Sequence, residues 1–316
     1  KTNTSSNTAF RGFGGPQGML AIENIIEEIA NHLSVDAYKI RKLNFYQNNS
    51  NNITPYGQVI EDNIINELVS EIASDTGYER RRKDVEEFNN KSKYIKKGLA
   101  LTPVKFGISF TKKFLNQAGA LIHIYKDGSI YLSHGGTEMG QGLFVKVAQV
   151  VANEFGVELD RVKVSATSTA KVPNTSATAA SSGSDLNGMA AKDACMRIKK
   201  NLVAFARKRY NIKEDEIVYS NSHVLLGGKK ISFNKFISSA YFNRVELFSN
   251  GYYKTPKIHY DEINAYGRPF YYYSYGACLS EVVVDCLTGE YKLTKVDILH
   301  DVGASINPDI DYGQIV

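Results

Sequence analysis

His134-Gly135-Gly136-Thr137-Glu138-Met139-Gly140-Gln141-Gly142-Leu143-Phe144 lies near the middle of the chain and decides how the rest is read. An alternating apolar run, Ala120 to Ser133 with Asp127-Gly128 as its turn, leads into it. A helical run through Leu143, Val147, Val150 and Val151 leads out. The order strand, glycine loop, helix start follows from the change of period. Glycines let a backbone approach a ligand closely, and free N–H groups at a helix N-terminus attract negative charge. Gln141 adds an amide able to read a heterocycle or an oxo group. No Gly-Lys-Ser/Thr follows and the Gly-x-Gly-x-x-Gly spacing is absent, so neither a Walker phosphate loop nor a dinucleotide loop is expected.

The chain has 316 residues, 43% of them hydrophobic, which is enough to bury a sizeable core. Its formal charge of +5 is spread through short groups such as Arg80-Arg81-Arg82 and Lys96-Lys97. No basic face emerges and nucleic-acid binding is not expected. Three cysteines, Cys195, Cys278 and Cys286, form no Cys-x-x-Cys pair. That fits a reducing, cytoplasmic setting and places any iron–sulfur cluster elsewhere. No run is long enough to span a membrane. The six histidines show no metal-ligand spacing.

Outward from the loop, Pro16 opens a helix whose apolar positions are Ile22, Ile25, Ile26, Ile29 and Leu33. Ser34 is expected to cap a short second helix ending at Leu43, and Asn48 to Asn52 reads as a linker. Two helical patterns follow, and the charged segment Glu79 to Lys97 is expected to face solvent. Strand periodicity runs from Leu99 to Phe110 and again from Val157 to Ala166. Asp185 is expected to cap a long helix reaching Tyr210 with a basic tail, and Thr288-Gly289 to turn a hairpin.

Residues 135–142 resemble the molybdopterin-binding loop of the xanthine dehydrogenase and aldehyde oxidase family. Three further stretches agree in type and order: residues 7–17 (Asn-Thr-Ala-Phe-Arg-Gly-Phe-Gly-Gly-Pro-Gln), residues 173–181 (Pro-Asn-Thr-Ser-Ala-Thr-Ala-Ala-Ser), and Asp301-Val302-Gly303 to Gly313-Gln314. The resemblance runs nearly end to end and is weakest over residues 45–100 and 205–270. It implies an α+β fold of mixed and antiparallel sheets with packed helices. Residues 1–50 would be the tail of a first molybdopterin-binding domain and 51–316 most of a second, within a longer polypeptide.

The resemblance also implies roles. Arg11, Phe13, Phe110, Thr111 and Leu115 would line the substrate side, with Phe13 stacking on the substrate ring and Phe110 meeting it edge-on. Phe10, Gly12, Met139, Gly140, Gln141, Thr178, Ala179, Ala180, Ser181 and Gln314 would contact the pterin. In this family the Thr-Ala-Ala-Ser segment donates backbone N–H groups, for which small side chains are the physical requirement. Lys112-Lys113 departs from the apolar residues expected at the channel mouth. Glu138 reads as structural.

The implied reaction is water-derived hydroxylation of an electron-poor heterocycle, with xanthine or hypoxanthine as the first choice. The implied cofactor is molybdenum-molybdopterin, either as such or as the cytosine dinucleotide. FAD and 2Fe-2S parts would lie on other domains or subunits of a homodimeric enzyme. No residue of this chain ligates the metal directly, and the catalytic glutamate is expected beyond residue 316, leaving residues 1–316 inactive alone. An aldehyde oxidase or other N-heterocycle hydroxylase of the same family, and a non-catalytic assembly module, are the alternatives.

Overall fold

The computed structural model describes Asn3 and residues 11–316, so the expectation for Phe10 lies outside the described residues. In chain order the elements begin with four helices, α1 (Gly15–Leu33), α2 (Ala37–Leu43), α3 (Ile65–Asp75) and α4 (Tyr78–Lys91). Strands β1 (Ile95–Ile108), β2 (Gln117–Ile124) and β3 (Ile130–His134) precede α5 (Leu143–Phe155), β4 (Val162–Val164) and α6 (Gly183–Tyr210). Next come β5 (Ile217–Ser220), β6 (His223–Leu226), β7 (Lys229–Ser232) and α7 (Phe233–Phe242). The chain then forms β8 (Phe248–Lys254), β9 (His259–Asp261), β10 (Tyr266–Arg268), β11 (Tyr272–Asp285), β12 (Tyr291–His300) and α8 (Pro308–Ile315). This is the expected α+β class: antiparallel sheets, one mixed sheet and packed helices.

Two compact units result. The first combines residues 1–108 with 259–303, and the second combines 109–258 with 304–316. The residues on both sides of the asparagine-rich stretch at 48–52 belong to the first unit.

In the first unit β11 is the middle strand of an antiparallel sheet ordered β1-β11-β12. One face carries Leu99, Leu101, Ala277 and Leu279, which pack with Val69 and Ile72 of α3 and Val85 of α4. Alternation puts those residues on one side of the pleat, and their burial supplies the driving force. Two expectations fail here. Ser34 closes α1 at φ 52, and Asp36 caps α2 by accepting the Tyr38 N–H at 2.8 Å. Three residues separate the helices, and of Ser34 and Asp36 it is Asp36 that holds the extended backbone an N-cap needs. The α4 segment does not simply face water, because Arg81 is buried between Glu281 at 3.0 Å and Asp297 at 2.6 Å. The apolar positions Ile22, Ile25, Ile29 and Leu33 of α1 are exposed.

In the second unit the sheet order is β4-β3-β2-β8, with β3 and β4 parallel and the rest antiparallel. Helix α5 provides the crossover between β3 and β4, as parallel neighbours require. Helix α6 lies on this sheet so closely that a Cβ at Gly251 would collide with Ala190 and Ala194. Its buried face is accordingly built from Gly188, Ala190, Ala191 and Ala194. The strand expected from Val157 shortens to Val162–Val164 behind a 3-10 turn. Asp185 sits in the first turn of α6, and the N-cap position is Ser182.

Candidate functional site

The glycine loop leaves the end of β3 and enters α5, as its sequence order requires. His134 fixes its first bend. The imidazole is 1% exposed, and Nδ1 accepts the Gly136 N–H at 3.1 Å. The proton of the neutral ring therefore sits on Nε2. Burial pushes this histidine down to about 4, against a smaller opposing influence of Asn187 and Glu138. Nε2 and the Oδ1 of Asn187 are both buried without a full hydrogen bond among the described residues. The Phe144 ring meets the imidazole edge-on at 5.1 Å. A Cβ at Gly136 would stand 2.7 Å from Leu143 Cδ2, 2.8 Å from Asn187 Nδ2 and 3.0 Å from His134 Nδ1. Only glycine passes through this gap.

The anion site expected at the start of α5 is filled by the chain itself. Glu138 accepts N–H groups from Gly140 at 2.9 Å, Gly142 at 3.0 Å and Phe144 at 3.0 Å. A carboxylate six residues upstream of Phe144 thus satisfies the orphan donors of a helix terminus. Desolvation raises the Glu138 carboxyl somewhat, but the backbone bonds outweigh it and hold the group below the usual carboxylate range. Gln141 also turns inward. Its Oε1 accepts the Met139 N–H at 2.6 Å and its Nε2 donates to the Thr137 carbonyl at 2.9 Å. The amide braces the loop with half its capacity, leaving one N–H and one lone pair. What the loop offers outward is the Met139-Gly140 tip. Met139 is exposed, and Gly140 at φ 96 has open space in front of it.

Residues 173–181 close on this loop. The Thr137 N–H donates to Thr178 Oγ1 at 2.8 Å, and a Cβ at Gly135 would run into Thr175. Ala180 and Ser181 both hold φ 55, a left-handed conformation that costs ordinary residues about 1–3 kcal/mol each. The Ala179 N–H is spent on the Ala177 carbonyl at 2.9 Å. Among the described residues the N–H groups of Ala180 and Ser181 have no acceptor, and they lie just before Ser182, the N-cap of the 28-residue α6. Strained backbone here holds out two donors able to bond a ligand's acceptor atoms.

Helix α8 brings Gln314 into the same unit, where the side chain is exposed. The helix is fixed by the Lys146–Asp311 ion pair at 2.5 Å and by Gln149 donating to the Ile306 carbonyl at 2.6 Å. A Cβ at Gly142 would stand 2.8 Å from Ile310, so α8 abuts the end of the glycine loop.

Phe110, Thr111 and Leu115 occupy a loop of the second unit clamped by buried Asn116. Its Oδ1 accepts the Phe110 N–H and its Nδ2 donates to the Phe110 carbonyl, both at 2.8 Å. Thr111, Lys112, Lys113 and Phe114 are exposed along it. Arg11 and Phe13 belong to the first unit, in the turn before α1, where Gly12 at φ 96, Phe13 at φ 41 and Gly14 at φ 94 follow one another and the side chains of Arg11 and Phe13 are exposed. Sequence reasoning missed the bracing roles of His134, Asn187 and Asn116. Their polarity inside apolar surroundings was the available signal.

Residues 71–316 match the molybdopterin cofactor-binding domain family, and residues 1–45 match a companion family of the same description. The chain belongs to the molybdopterin cofactor-binding domain family. It is 44% identical over 315 residues to xanthine dehydrogenase/oxidase of Gallus gallus, covering 100% of this chain and 22% of that protein. Xanthine dehydrogenase of Dictyostelium discoideum is 44% identical over 318 residues, again 100% and 22%. The chain therefore spans about a fifth of the length of the curated relatives it matches. Among solved structures, CO dehydrogenase from Oligotropha carboxidovorans superposes with a TM-score of 0.83 at 22% identity, over 98% of this chain and 40% of that one. Aldehyde oxidoreductase from Desulfovibrio desulfuricans gives 0.78 at 23% identity, over 97% and 30%. These two likenesses establish a shared fold. No helix among the described residues is long and apolar enough to cross a membrane.

Proposed function

We propose that this chain is the cofactor-holding part of a molybdenum hydroxylase that oxidises purines, xanthine and hypoxanthine first among them. The observation carrying the reading is the joined cradle, in which the glycine loop and residues 173–181 meet through the Thr137 N–H and Thr178 Oγ1. It lies in a chain 44% identical over its whole length to xanthine dehydrogenases.

The donors of this cradle fit molybdopterin. The Ala180 and Ser181 N–H groups, the free half of the Gln141 amide and the open Gly140 tip would hold the pterin, with Met139, Thr178 and Ala179 beside them and Gln314 on α8. When bound, the group supplies redox and oxygen-transfer chemistry at molybdenum. The protein's share is positioning and polarisation. Phe13 and Phe110 would contact the substrate ring, Arg11 would offer a cation to developing negative charge, and Thr111 and Leu115 would limit the ring's position. FAD and 2Fe-2S domains or subunits would carry the electrons onward in a homodimeric, cytoplasmic enzyme.

The test is the initial rate of the full-length protein on xanthine, hypoxanthine and benzaldehyde with an artificial electron acceptor. The proposal expects the purines to be faster. Preference for benzaldehyde would move the chain to the aldehyde branch, and a folded protein loaded with molybdenum that oxidises none of the three would refute a hydroxylase.

A further inference from the structure

Asn187 is a polar residue on the buried face of α6, where folding alone would favour an apolar one. Leu186, Gly188 and Ala190 beside it are buried, and Asn187 itself is 4% exposed. Leucine has the same branched shape, is the better helix former and brings no polar atom to bury. The amide is also only partly satisfied. Its Nδ2 donates to the Gly183 carbonyl at 2.8 Å, one turn back, while its Oδ1 is buried with no hydrogen-bond partner among the described residues. A buried polar group short of partners lowers stability, so the value of this amide lies in what it touches.

At one end it touches the buried Gly136 backbone, whose two polar groups are both held by side chains. The N–H donates to His134 Nδ1 at 3.1 Å, and the carbonyl accepts from the Thr167 hydroxyl at 3.2 Å. The Asn187 amide stands against the same residue, 2.8 Å from where a Cβ would be. At its other end the amide holds Gly183, the first residue of α6. Ser182 before it directs both its N–H, at 3.3 Å, and its hydroxyl, at 3.1 Å, to the Ala179 carbonyl. The turn closed in this way contains Ala180 and Ser181. Asn187 therefore reaches from the root of the glycine loop to the helix turn that carries the two unpaired N–H groups. The link between Thr137 and Thr178 joins the same segments at an exposed place, and Asn187 joins them inside.

We propose that Asn187 is a positioning residue for the cofactor, its amide setting the spacing between the Met139-Gly140 tip and the Ala180 and Ser181 N–H groups at a cost in folding stability. The inference rests on the reading of these two segments as the holders of molybdopterin. Donors on separate segments grip one rigid ligand only when their separation is fixed, so the support behind them governs how tightly it is held. Asn187 acts through Gly136 and Gly183.

The test compares full-length wild type with Asn187→Leu, which keeps the shape, and Asn187→Ala, which does not; both remove the amide. Cofactor-free protein, made in a host unable to supply the cofactor, reads folding and spacing. There the leucine variant should melt at or above the wild-type temperature, while the Gly136 and Thr137 N–H groups exchange with deuterium severalfold faster in both variants. Protein made in a host that supplies the cofactor should then retain severalfold less molybdenum after dialysis in both variants than in wild type. Wild type that retains no molybdenum refutes the cradle reading, and the proposal falls with it. Loaded wild type beside a folded variant with full molybdenum and unchanged exchange overturns the proposal alone. Unfolding of both variants makes Asn187 a structural residue and overturns it as well.

Discussion

Glu138 Oε2 accepts the backbone N–H of Phe144 at 3.0 Å, so the acid of the glycine loop caps the helix that the loop feeds. The loop is thereby self-contained: its anion is its own, and what it presents to a ligand is backbone rather than a vacant charge site.

Substitution Glu138→Gln keeps the shape and removes the charge. It should cost about 1 kcal/mol of stability at pH 7, the scale of a lost helix cap. Because the folded carboxyl titrates below its unfolded value, its contribution is present above the ordinary carboxylate range and is lost as pH falls through the folded value. Thermal melts of both proteins should differ at pH 7 and converge at low pH; an equal gap at all pH values would contradict the capping role.

His134 acts on a different window. Its folded value of about 4 lies below the ordinary 6.5, so the unfolded chain takes up the proton first and stability declines as pH drops from 6.5 toward 4. The full span is worth about 3 kcal/mol. Denaturant titrations of wild type and His134→Asn at pH 7.5 and 5 should show a smaller loss for the variant. An unchanged pH dependence would mean that the imidazole titrates normally.

The passage at Gly136 is steric. Gly136→Ala forces a Cβ to 2.7 Å from Leu143 and should cost about 1–3 kcal/mol by overpacking. Gly313→Ala, on α8 with open space around it, should be neutral or stabilise by up to about 1 kcal/mol. Chemical denaturation midpoints of the two variants check the contrast.

Arg81 holds Glu281 and Asp297 from a buried position. Arg81→Met removes the buried cation that Glu281 and Asp297 share and leaves them only the lysines Lys97 at 3.8 Å and Lys295 at 3.3 Å, and a loss of about 3 kcal/mol follows for a broken buried network. A double variant that also carries Glu281→Gln should recover part of it. No recovery would show the ion pairs to be incidental.

Much of this was legible in the sequence because period and glycine placement are local signals. The strand, loop and helix around residues 134–144, the turn at Thr288-Gly289 and the strands on either side of it required no tertiary information. The inward turn of Gln141 was not legible, since its partners, the Met139 N–H and the Thr137 carbonyl, come within reach only when the loop closes. The cap at Asp36 in place of Ser34 depended on which backbone was extended. Arg81 looked solvated because its partners are about two hundred residues away. The apolar positions of α1 announced a face but not what covers it, and Ile22, Ile25 and Ile29 are exposed.

The central claim is that residues 135–142 and 173–181 hold molybdopterin, and its most direct test is molybdenum content with pterin fluorescence. Both should be read on the full-length protein purified from a host that makes the cofactor, as wild type and as Gln141→Ala. The account predicts near-stoichiometric molybdenum in the wild type and severalfold less in the variant at unchanged secondary structure, because the brace between Met139 and Thr137 is gone. A wild-type protein without molybdenum, or a variant that keeps its full complement, would contradict it.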